Sequence, residues 1–301
     1  MAEVVGRVYR VSGPVVEVEE AWSLSMLEVV EVGNLHLVGE VVHLKTGHAF
    51  VQVYEDTTSL KPGDPVYSNH EPLSVELGPG LLGSIFDGVQ RPLQLIREKQ
   101  GMAIARGIHL PPLERTRRWE FAPVASAGQQ AGPGAIIGEV QETGLVRHLI
   151  MVPPGLSGRL VWVAPPGDYT VEDKIAVLDT GQGQVPLRLF QRWPVRRSRP
   201  YQRKIEPNEP LLTGQRVIDT LFPLAKGGSV AVPGGFGTGK TVVQHQMARW
   251  SDADIVVFVG CGERGNEMTD VLLSFPSLVD PRQGRPLMER TILVANTSNM
   301  P

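Results

Sequence analysis

The sequence predicts a multidomain chain in which two β-rich regions precede a region of alternating strands and helices. Three observations carry this prediction. Short valine-rich runs broken by turn residues fill residues 4–54, glycines separate short apolar runs over 119–189, and strand-like runs alternate with helix-forming segments after Leu211. We place the divisions at residues 1–75, 76–115, 116–190 and 191–301.

The first region has the pattern of a small β-barrel. Turn residues such as Ser12-Gly13-Pro14 and Thr46-Gly47 separate runs that favour β structure. The predicted strands are Val4–Val11, Val15–Val18, Leu27–Val32, Leu35–Leu44 and Ala49–Tyr54.

A connector and a second β-rich region follow. The apolar positions between Leu81 and Met102 suit a short helix or helical hairpin. We expect Trp119 to Leu189 to form a separate β-rich insert, with strands such as Leu149–Val152 and Leu160–Val163. The arginine-rich run 188–204 favours a solvated linker over an interface patch.

Beyond Leu211 the pattern predicts a parallel α/β sheet. The predicted elements alternate between strand and helix: a strand Ser229–Val232, a helix after Gly239, a buried strand Asp254–Gly260, a helix Asn266–Phe275 and a strand Thr291–Ala295. Right-handed crossovers bring the carboxyl ends of such strands to one edge of the sheet, where ligands bind.

The run Gly234 to Thr241 matches the phosphate-binding pattern G-x-x-x-x-G-K-[ST]. Its glycines let successive N–H groups turn toward phosphate oxygens, Lys240 supplies a positive charge, and the hydroxyl of Thr241 is a ligand for Mg²⁺. We therefore predict that ATP or ADP binds here with Mg²⁺. The predicted binding residues are Gly234, Gly235, Phe236, Gly237, Thr238, Gly239, Lys240, Thr241 and Val242.

The strand after this loop ends in Gly-Glu-Arg. Glu263 has the chemistry to orient an attacking water, and Arg264 has the charge to support a phosphoryl group. The tripeptide alone is equally typical of a surface ion pair or of an acidic residue at a helix start. The upstream phosphate-binding loop favours the catalytic interpretation.

Three segments resemble the catalytic A subunit of V-type and A-type rotary ATPases: the loop 234–241, Val259 to Met268, and Asn296 to Pro301. Residues 77–88, 152–154 and 213–219 are similar to the same family. The resemblance implies an N-terminal β-barrel, an inserted bulge domain and a RecA-like P-loop α/β nucleotide-binding domain. It also implies that Lys240, Glu263 and Arg264 are catalytic.

The same resemblance implies an ATP-hydrolysing or ATP-synthesising enzyme that couples its reaction to H⁺ or Na⁺ transport. Its partners would be B subunits in an alternating A3B3 hexamer, central and peripheral stalk subunits and, indirectly, a membrane ion-translocating sector. The protein would be peripheral on the cytoplasmic face of the membrane. Position 235 is Gly where the family usually has Pro or Ala, so we expect a more mobile empty loop.

The sequence ends at Pro301 without the downstream strand whose Asp would hold Mg²⁺, and we reject Ile175–Asp179 as a substitute. We therefore expect an incomplete nucleotide-binding domain that hydrolyses ATP poorly alone. The alternative is a catalytically inert chain that serves assembly. A Glu263→Gln variant of the complete complex should bind nucleotide without turnover.

Composition and charge exclude several classes of protein. The chain has 301 residues, 42% of them hydrophobic, and a formal net charge of −3, which argues against nucleic-acid binding. It lacks a membrane-length apolar stretch and a signal-peptide pattern, so we expect a cytoplasmic protein. The histidines show no metal-ligand spacing. Cys261, the only cysteine, is expected to fill a buried space, and the alternative is a redox-sensitive thiol if it is exposed.

Overall fold

The computed structural model describes residues 3–101, 104–201, 203–235, 237–298 and 300. Among these residues no helix combines the length and the apolar character that crossing a bilayer requires.

Six antiparallel strands close into a barrel at the N-terminus, as the sequence predicts. Alternate valines such as Val16, Val30 and Val51 point into its core and are fully buried. The predicted runs correspond to five strands, and a sixth pairs with both β1 and β3 to complete the closure. The strands are β1 (Glu3–Ser12), β2 (Val15–Glu19), β3 (Glu28–Val32), β4 (Leu37–Lys45), β5 (His48–Val53) and β6 (Pro65–Pro72).

The connector is less helical than predicted. It contains β7 (Ser74–Leu77), β8 (Ile85–Phe86) and one helix, α1 (Leu93–Gln100). The predicted short helix is present, but it begins only at Leu93, because Ile85 and Phe86 pair in parallel with a strand near the end of the chain, which favours extended backbone. Met102 lies outside the described residues.

Two four-stranded antiparallel sheets form the predicted insert. One has the strand order β10-β13-β15-β16 and the other β12-β11-β9-β14, and their inner faces share a core that includes Phe121, Leu160 and Ile175. The strands are β9 (Trp119–Pro123), β10 (Gln130–Ala131), β11 (Ile136–Gln141), β12 (Arg147–Met151), β13 (Gly158–Val163), β14 (Gly167–Tyr169), β15 (Lys174–Asp179) and β16 (Gln184–Arg188).

The insert is held to the connector by apolar and polar contacts. Leu113 is fully buried in the insert core, and Leu81 packs against that core. The carboxylate of Glu142 accepts hydrogen bonds from the backbone N–H groups of Gly80 (2.7 Å) and Leu82 (3.0 Å), and it contacts the ring of His148 (2.7 Å). These bonds hold the pKa of Glu142 below its ordinary value although burial opposes them. The segment around residues 80–82 is therefore fixed to the insert.

The arginine-rich run is only in part the solvated linker that the sequence favoured: residues 195–201 are exposed, but two contacts tie the run to its neighbours. Its first part forms β17 (Gln191–Pro194), which pairs with β7. The guanidinium of Arg196 donates two hydrogen bonds, of 2.7 and 2.8 Å, to the carboxylate of Glu40 in the barrel. The side chain of Glu40 is only 3% exposed and that of Arg196 is 52% exposed, so the arginine pairs with the buried acid from the solvent side.

The last region contains the predicted parallel sheet, in the strand order β20-β21-β8. Helix α4 packs on one side through Met268 and Val271. The elements are β18 (Pro210–Leu211), α2 (Arg216–Leu221), β19 (Leu224–Ala225), α3 (Lys240–Trp250), β20 (Val256–Glu263), α4 (Gly265–Ser274) and β21 (Thr291–Thr297), with 3-10 turns Phe275–Ser277 and Leu287–Arg290.

Two strand predictions fail here in part. Residues 229–232 form no strand, because among the described residues no neighbouring strand completes a hydrogen-bond ladder with them. Strand β20 is present but is not buried on both faces. Val257 is 59% exposed and Val259 56% exposed, since β20 is the edge of the described sheet and only its other face is covered.

Candidate functional site

The loop 234–239 turns sharply into helix α3. Gly237 and Gly239 have φ values of 76° and 85°, a region that side chains with a Cβ rarely adopt. Gly234 and Gly235 lie outside that region, so not all four glycines use left-handed backbone as the loop pattern suggested. Gly234 is needed for space, because a Cβ there would overlap the hydroxyl of Thr238. That hydroxyl donates a 2.8 Å hydrogen bond to the carbonyl of Gly235 and tightens the loop.

Helix α3 begins at Lys240 with Gly239 as its N-cap. The N–H groups of the first turn have no partners within the helix, and the aligned peptide dipoles place partial positive charge at this end. Lys240 and Thr241 both line the cleft in front of it. A loop of backbone donors, a helix N-terminus and an ammonium group thus surround one space, which suits a polyphosphate.

The cleft has a volume of about 850 Å³ and two walls. The loop and α3 form the first wall, and the end of β20 together with α4 forms the second. Its lining residues are Gly235, Gly237, Thr238, Gly239, Lys240, Thr241, Val242, Gln244, His245, Glu263, Glu267, Asp270, Leu273 and Ser274.

Glu263 is the last residue of β20 and faces the phosphate-binding loop, as expected for a residue at the carboxyl end of a parallel strand. Its carbonyl accepts a 2.9 Å hydrogen bond from the N–H of Ser298, which fixes the backbone at this point. A hydrogen bond with the carboxyl group of Glu267, burial and the charge of Glu267 raise the pKa of Glu263, and the nearby charge of Lys240 opposes the rise. Lys240 and Glu263 therefore act on the same space.

Six cleft residues were not among those that the sequence motifs predicted, and three of these six have titratable side chains. Glu267 and Asp270 lie on α4, and His245 lies on α3 one turn after Thr241. The ring of His245 meets Phe258 and Phe275 at ring-centre distances of 5.5 and 5.4 Å, and burial lowers its pKa. The helical spacing of four residues from Thr241 to His245 along α3 is the signal that could have placed His245 on the cleft wall.

Other predicted residues lie elsewhere. Arg264 is the N-cap of α4, has an exposed side chain and is not among the residues that line the cleft. Its predicted contact with a phosphoryl group stays a prediction. Phe236 lies outside the described residues. Cys261 is exposed, so the prediction of a buried filler is wrong: it lies on the strand that forms the edge of the described sheet.

The described residues contain no group of three or more His, Cys, Asp or Glu side chains placed to hold a metal ion. The donor chemistry still fits Mg²⁺ bound together with phosphates, because Mg²⁺ keeps several waters and needs few protein oxygens, of which the Thr241 hydroxyl is one. The predicted place of Asp179, at the end of a local strand in the insert, is confirmed. This residue ends β15 within the insert, where its carboxylate accepts a 3.0 Å hydrogen bond from the N–H of Gly181.

Three family models match the chain. They are the beta-barrel domain of the ATP synthase alpha/beta family over residues 8–69, the barrel-sandwich domain of the ATP synthase alpha/beta subunits over 110–196, and the nucleotide-binding domain of the ATP synthase alpha/beta family over 214–301. The ranges correspond to the barrel, the insert and the α/β region, in the order that the sequence predicts.

Curated relatives are similar over 98% of this chain, and all three named here are A subunits of A-type ATP synthases. The relative from Methanopyrus kandleri is 56% identical, that from Thermococcus sibiricus 54%, and that from Saccharolobus islandicus 57%. The chain spans about half of the length of these relatives, 50 to 51% of each.

A solved structure shares the fold. The ATPase EscN of the enteropathogenic E. coli type III secretion system superposes with a TM-score of 0.55 over 98% of this chain and 49% of its own, at 16% identity. At this identity the likeness concerns architecture alone.

Proposed function

The chain belongs to the ATP synthase alpha/beta family, and from that membership we propose that its cleft at the start of α3 binds ATP or ADP with Mg²⁺. One observation carries the proposal: the loop glycines, the N-terminus of α3 and Lys240 surround the same space that Glu263 enters from β20. Anions bind at helix N-termini, and an acid opposite the phosphate site supplies what hydrolysis needs.

The residues act in distinct ways in this proposal. Backbone N–H groups around Gly237 and Gly239 donate to phosphate oxygens, and Lys240 offsets charge on the terminal phosphates. Thr241 would hold Mg²⁺ through its hydroxyl, and the bound ion would supply further charge neutralisation at the phosphates. Glu263, as the anion, accepts a hydrogen bond from the attacking water and orients it, while Arg264 supports the phosphoryl group from the turn that begins α4.

We also propose the larger role that the relatives' names suggest. Within the complete protein this chain would form part of the catalytic A subunit of an A-type or V-type ATPase or ATP synthase, with its reaction coupled to H⁺ or Na⁺ transport. B subunits, in an alternating hexamer, and stalk subunits would be its partners, and the complex would lie on the cytoplasmic face of a membrane. The division into domains at residues 75, 115 and 190 belongs to the same proposal.

The alternative function is a catalytically inert chain that contributes its barrel and insert to assembly. The exposed valines of β20 favour it for this chain alone, because they leave one face of the sheet beside the cleft uncovered.

Titration calorimetry with Mg-ADP tests whether the cleft binds nucleotide. We expect the wild-type chain to bind and Lys240→Ala to lose binding by at least about tenfold, since hydrogen bonds to charged groups contribute about 1.5–3 kcal/mol. Lys99→Ala, which removes an exposed lysine from α1, is the matched control and should bind like wild type. Equal affinity of the Lys240 variant and the wild type would contradict the assignment.

A binding assay with B subunits separates the two functions. Assembly of this chain with B subunits, with no heat on titration of nucleotide, would favour the inert alternative. In the assembled complex, Glu263→Gln should keep nucleotide affinity and lose turnover, and unchanged turnover would remove Glu263 from its role.

A further inference from the structure

An aromatic cluster joins the two walls of the cleft. The ring of His245 on α3 lies 5.5 Å from that of Phe258 in β20 and 5.4 Å from that of Phe275, which directly follows α4. Both contacts are edge-on, at interplanar angles of 62° and 83°, and the two phenylalanine rings lie 5.3 Å apart. One ring from the first wall therefore packs against the strand and the helix end of the second wall.

His245 lies on the face of α3 that turns toward the sheet. Thr241, His245 and Ala248 follow one another at spacings of four and three residues, so they share one side of the helix. Thr241 and His245 line the cleft, and Ala248, the only buried residue among those described for α3, lies in the apolar core that contains Phe275. Because Ala248 contributes a single methyl group, His245 is the large side chain by which this face meets the opposite wall.

The imidazole of His245 acts here as an uncharged ring. Burial lowers its pKa, although the charge of Asp270 opposes the shift, so the ring is neutral at about pH 7. Its Nε2 atom is buried and has no hydrogen-bond partner among the described residues. The contacts with the two phenylalanine rings are therefore the interactions that hold this side chain across the cleft.

The second wall holds Glu263 in a fixed place relative to the cluster. Phe258 lies five residues before Glu263 on the same strand. Between them, Gly260 packs against the side chain of Met268 on α4, which is 2% exposed, and a Cβ at Gly260 would overlap its sulfur. Strand and helix therefore form one packed wall. A movement of α3 away from the cluster would change the distance between the phosphate-binding loop and Glu263 while leaving this wall intact.

Building on the proposed function, we propose that His245 is a positioning residue that sets the separation between the phosphate-binding loop and Glu263. The loop and the N-terminus of α3 hold the polyphosphate from the first wall, and Glu263 orients the attacking water from the second. The ring of His245 keeps these two groups at the distance that attack on the terminal phosphate requires. Since binding uses mainly the first wall, loss of the ring should lower turnover more than affinity.

Steady-state kinetics of the assembled complex tests this role. We expect His245→Ala to lower kcat by about 10- to 100-fold with little change in KM, because a small misplacement of the reacting groups slows the chemical step. His245→Phe, which keeps a planar ring for the two phenylalanines, should restore most of kcat. Gln246→Ala is the matched control on the same helix and should turn over like wild type, since the Gln246 side chain accepts a hydrogen bond from Trp250 of α3 itself.

The outcomes separate this inference from the proposed function. Failure of the wild-type chain to bind Mg-ADP in calorimetry would overturn the proposed function. If the wild type binds, an unchanged kcat in His245→Ala would overturn the positioning role, and so would equal losses of kcat in the Ala and Phe variants. If His245→Ala does not assemble, His245→Gln, which retains part of the volume but no ring, carries the same expectation, and wild-type kcat in that variant would equally overturn the role.

Discussion

Replacing Arg196 by Ala should loosen the junction between the arginine-rich run and the barrel. The guanidinium donates two hydrogen bonds to Glu40, whose side chain is 3% exposed, while that of Arg196 is 52% exposed. Tyr54 also donates to Glu40 at 3.1 Å, and burial followed by the charge of Glu40 raises the pKa of Tyr54 to about 12. Arg196 therefore neutralises an acid that the barrel has already buried.

The loss of stability expected for Arg196→Ala lies between two limits. Removing one partner of a fully buried pair costs about 3–5 kcal/mol, and an exposed pair contributes at most about 1 kcal/mol. Here the acid is buried, but water can reach it from the exposed side of Arg196 and Tyr54 still donates to it. We expect a loss of about 2 kcal/mol, close to the value for a hydrogen bond to a charged group.

Amide hydrogen exchange is the suitable assay because the effect is local. A loss of about 2 kcal/mol corresponds to exchange about 30-fold faster in β17 and β4. Arg197→Ala is the matched control, since the side chain of Arg197 is exposed and its hydrogen bonds to Trp193 and Pro194 use backbone atoms that the substitution keeps. Exchange that is equally fast in the wild type, the Arg196 variant and the control would refute the reasoning.

Two further predictions concern stability. The ring of His70 contacts Glu3 at 2.7 Å and Glu28 at 3.0 Å, and the hydrogen bond to Glu3 raises its pKa. A raised folded-state pKa stabilises the barrel fully below the unfolded value of about 6.5, and this contribution is lost as the pH rises through the folded value. The difference in urea midpoint between wild type and His70→Asn should therefore be larger at pH 5.5 than at pH 8.5, and a pH-independent difference would contradict this. Phe121, fully buried in the insert core, should lose about 3–5 kcal/mol on replacement by Ala and much less by Leu, measured by urea unfolding; equal losses would contradict tight packing there.

Local sequence patterns predicted the barrel and the insert well. Alternating valines and clear turn residues mark the first five barrel strands, because each strand has one face toward the core. Strand β6 was missed since it begins with Pro65 and continues through polar residues. It forms because it closes the gap between β1 and β3, a long-range requirement that no local pattern carries.

The candidate site was predicted in the same way. Lys240 and Glu263 belong to short patterns whose residue types indicate phosphate binding and hydrolysis. The prediction that the carboxyl ends of parallel strands meet at one edge of the sheet placed both residues at the same cleft. Residues 229–232 have a strand-like composition, yet a strand also needs a neighbour, and composition does not supply one. The hydrogen-bonded ion pair between Arg196 and Glu40 joins residues 156 positions apart, so the sequence around either residue alone could not predict it.

The packing of Leu113 and Leu81 into the insert core means that the insert is not a detachable module. Excision at residues 116 and 190 would remove both apolar side chains from its interior and strip Glu142 of the two N–H donors that its carboxylate accepts. Transplanting the insert to another scaffold therefore requires the segment around residues 80–82 and the stretch through Leu113 to travel with it. The insert and its anchoring segment therefore share one core and belong to one folding unit.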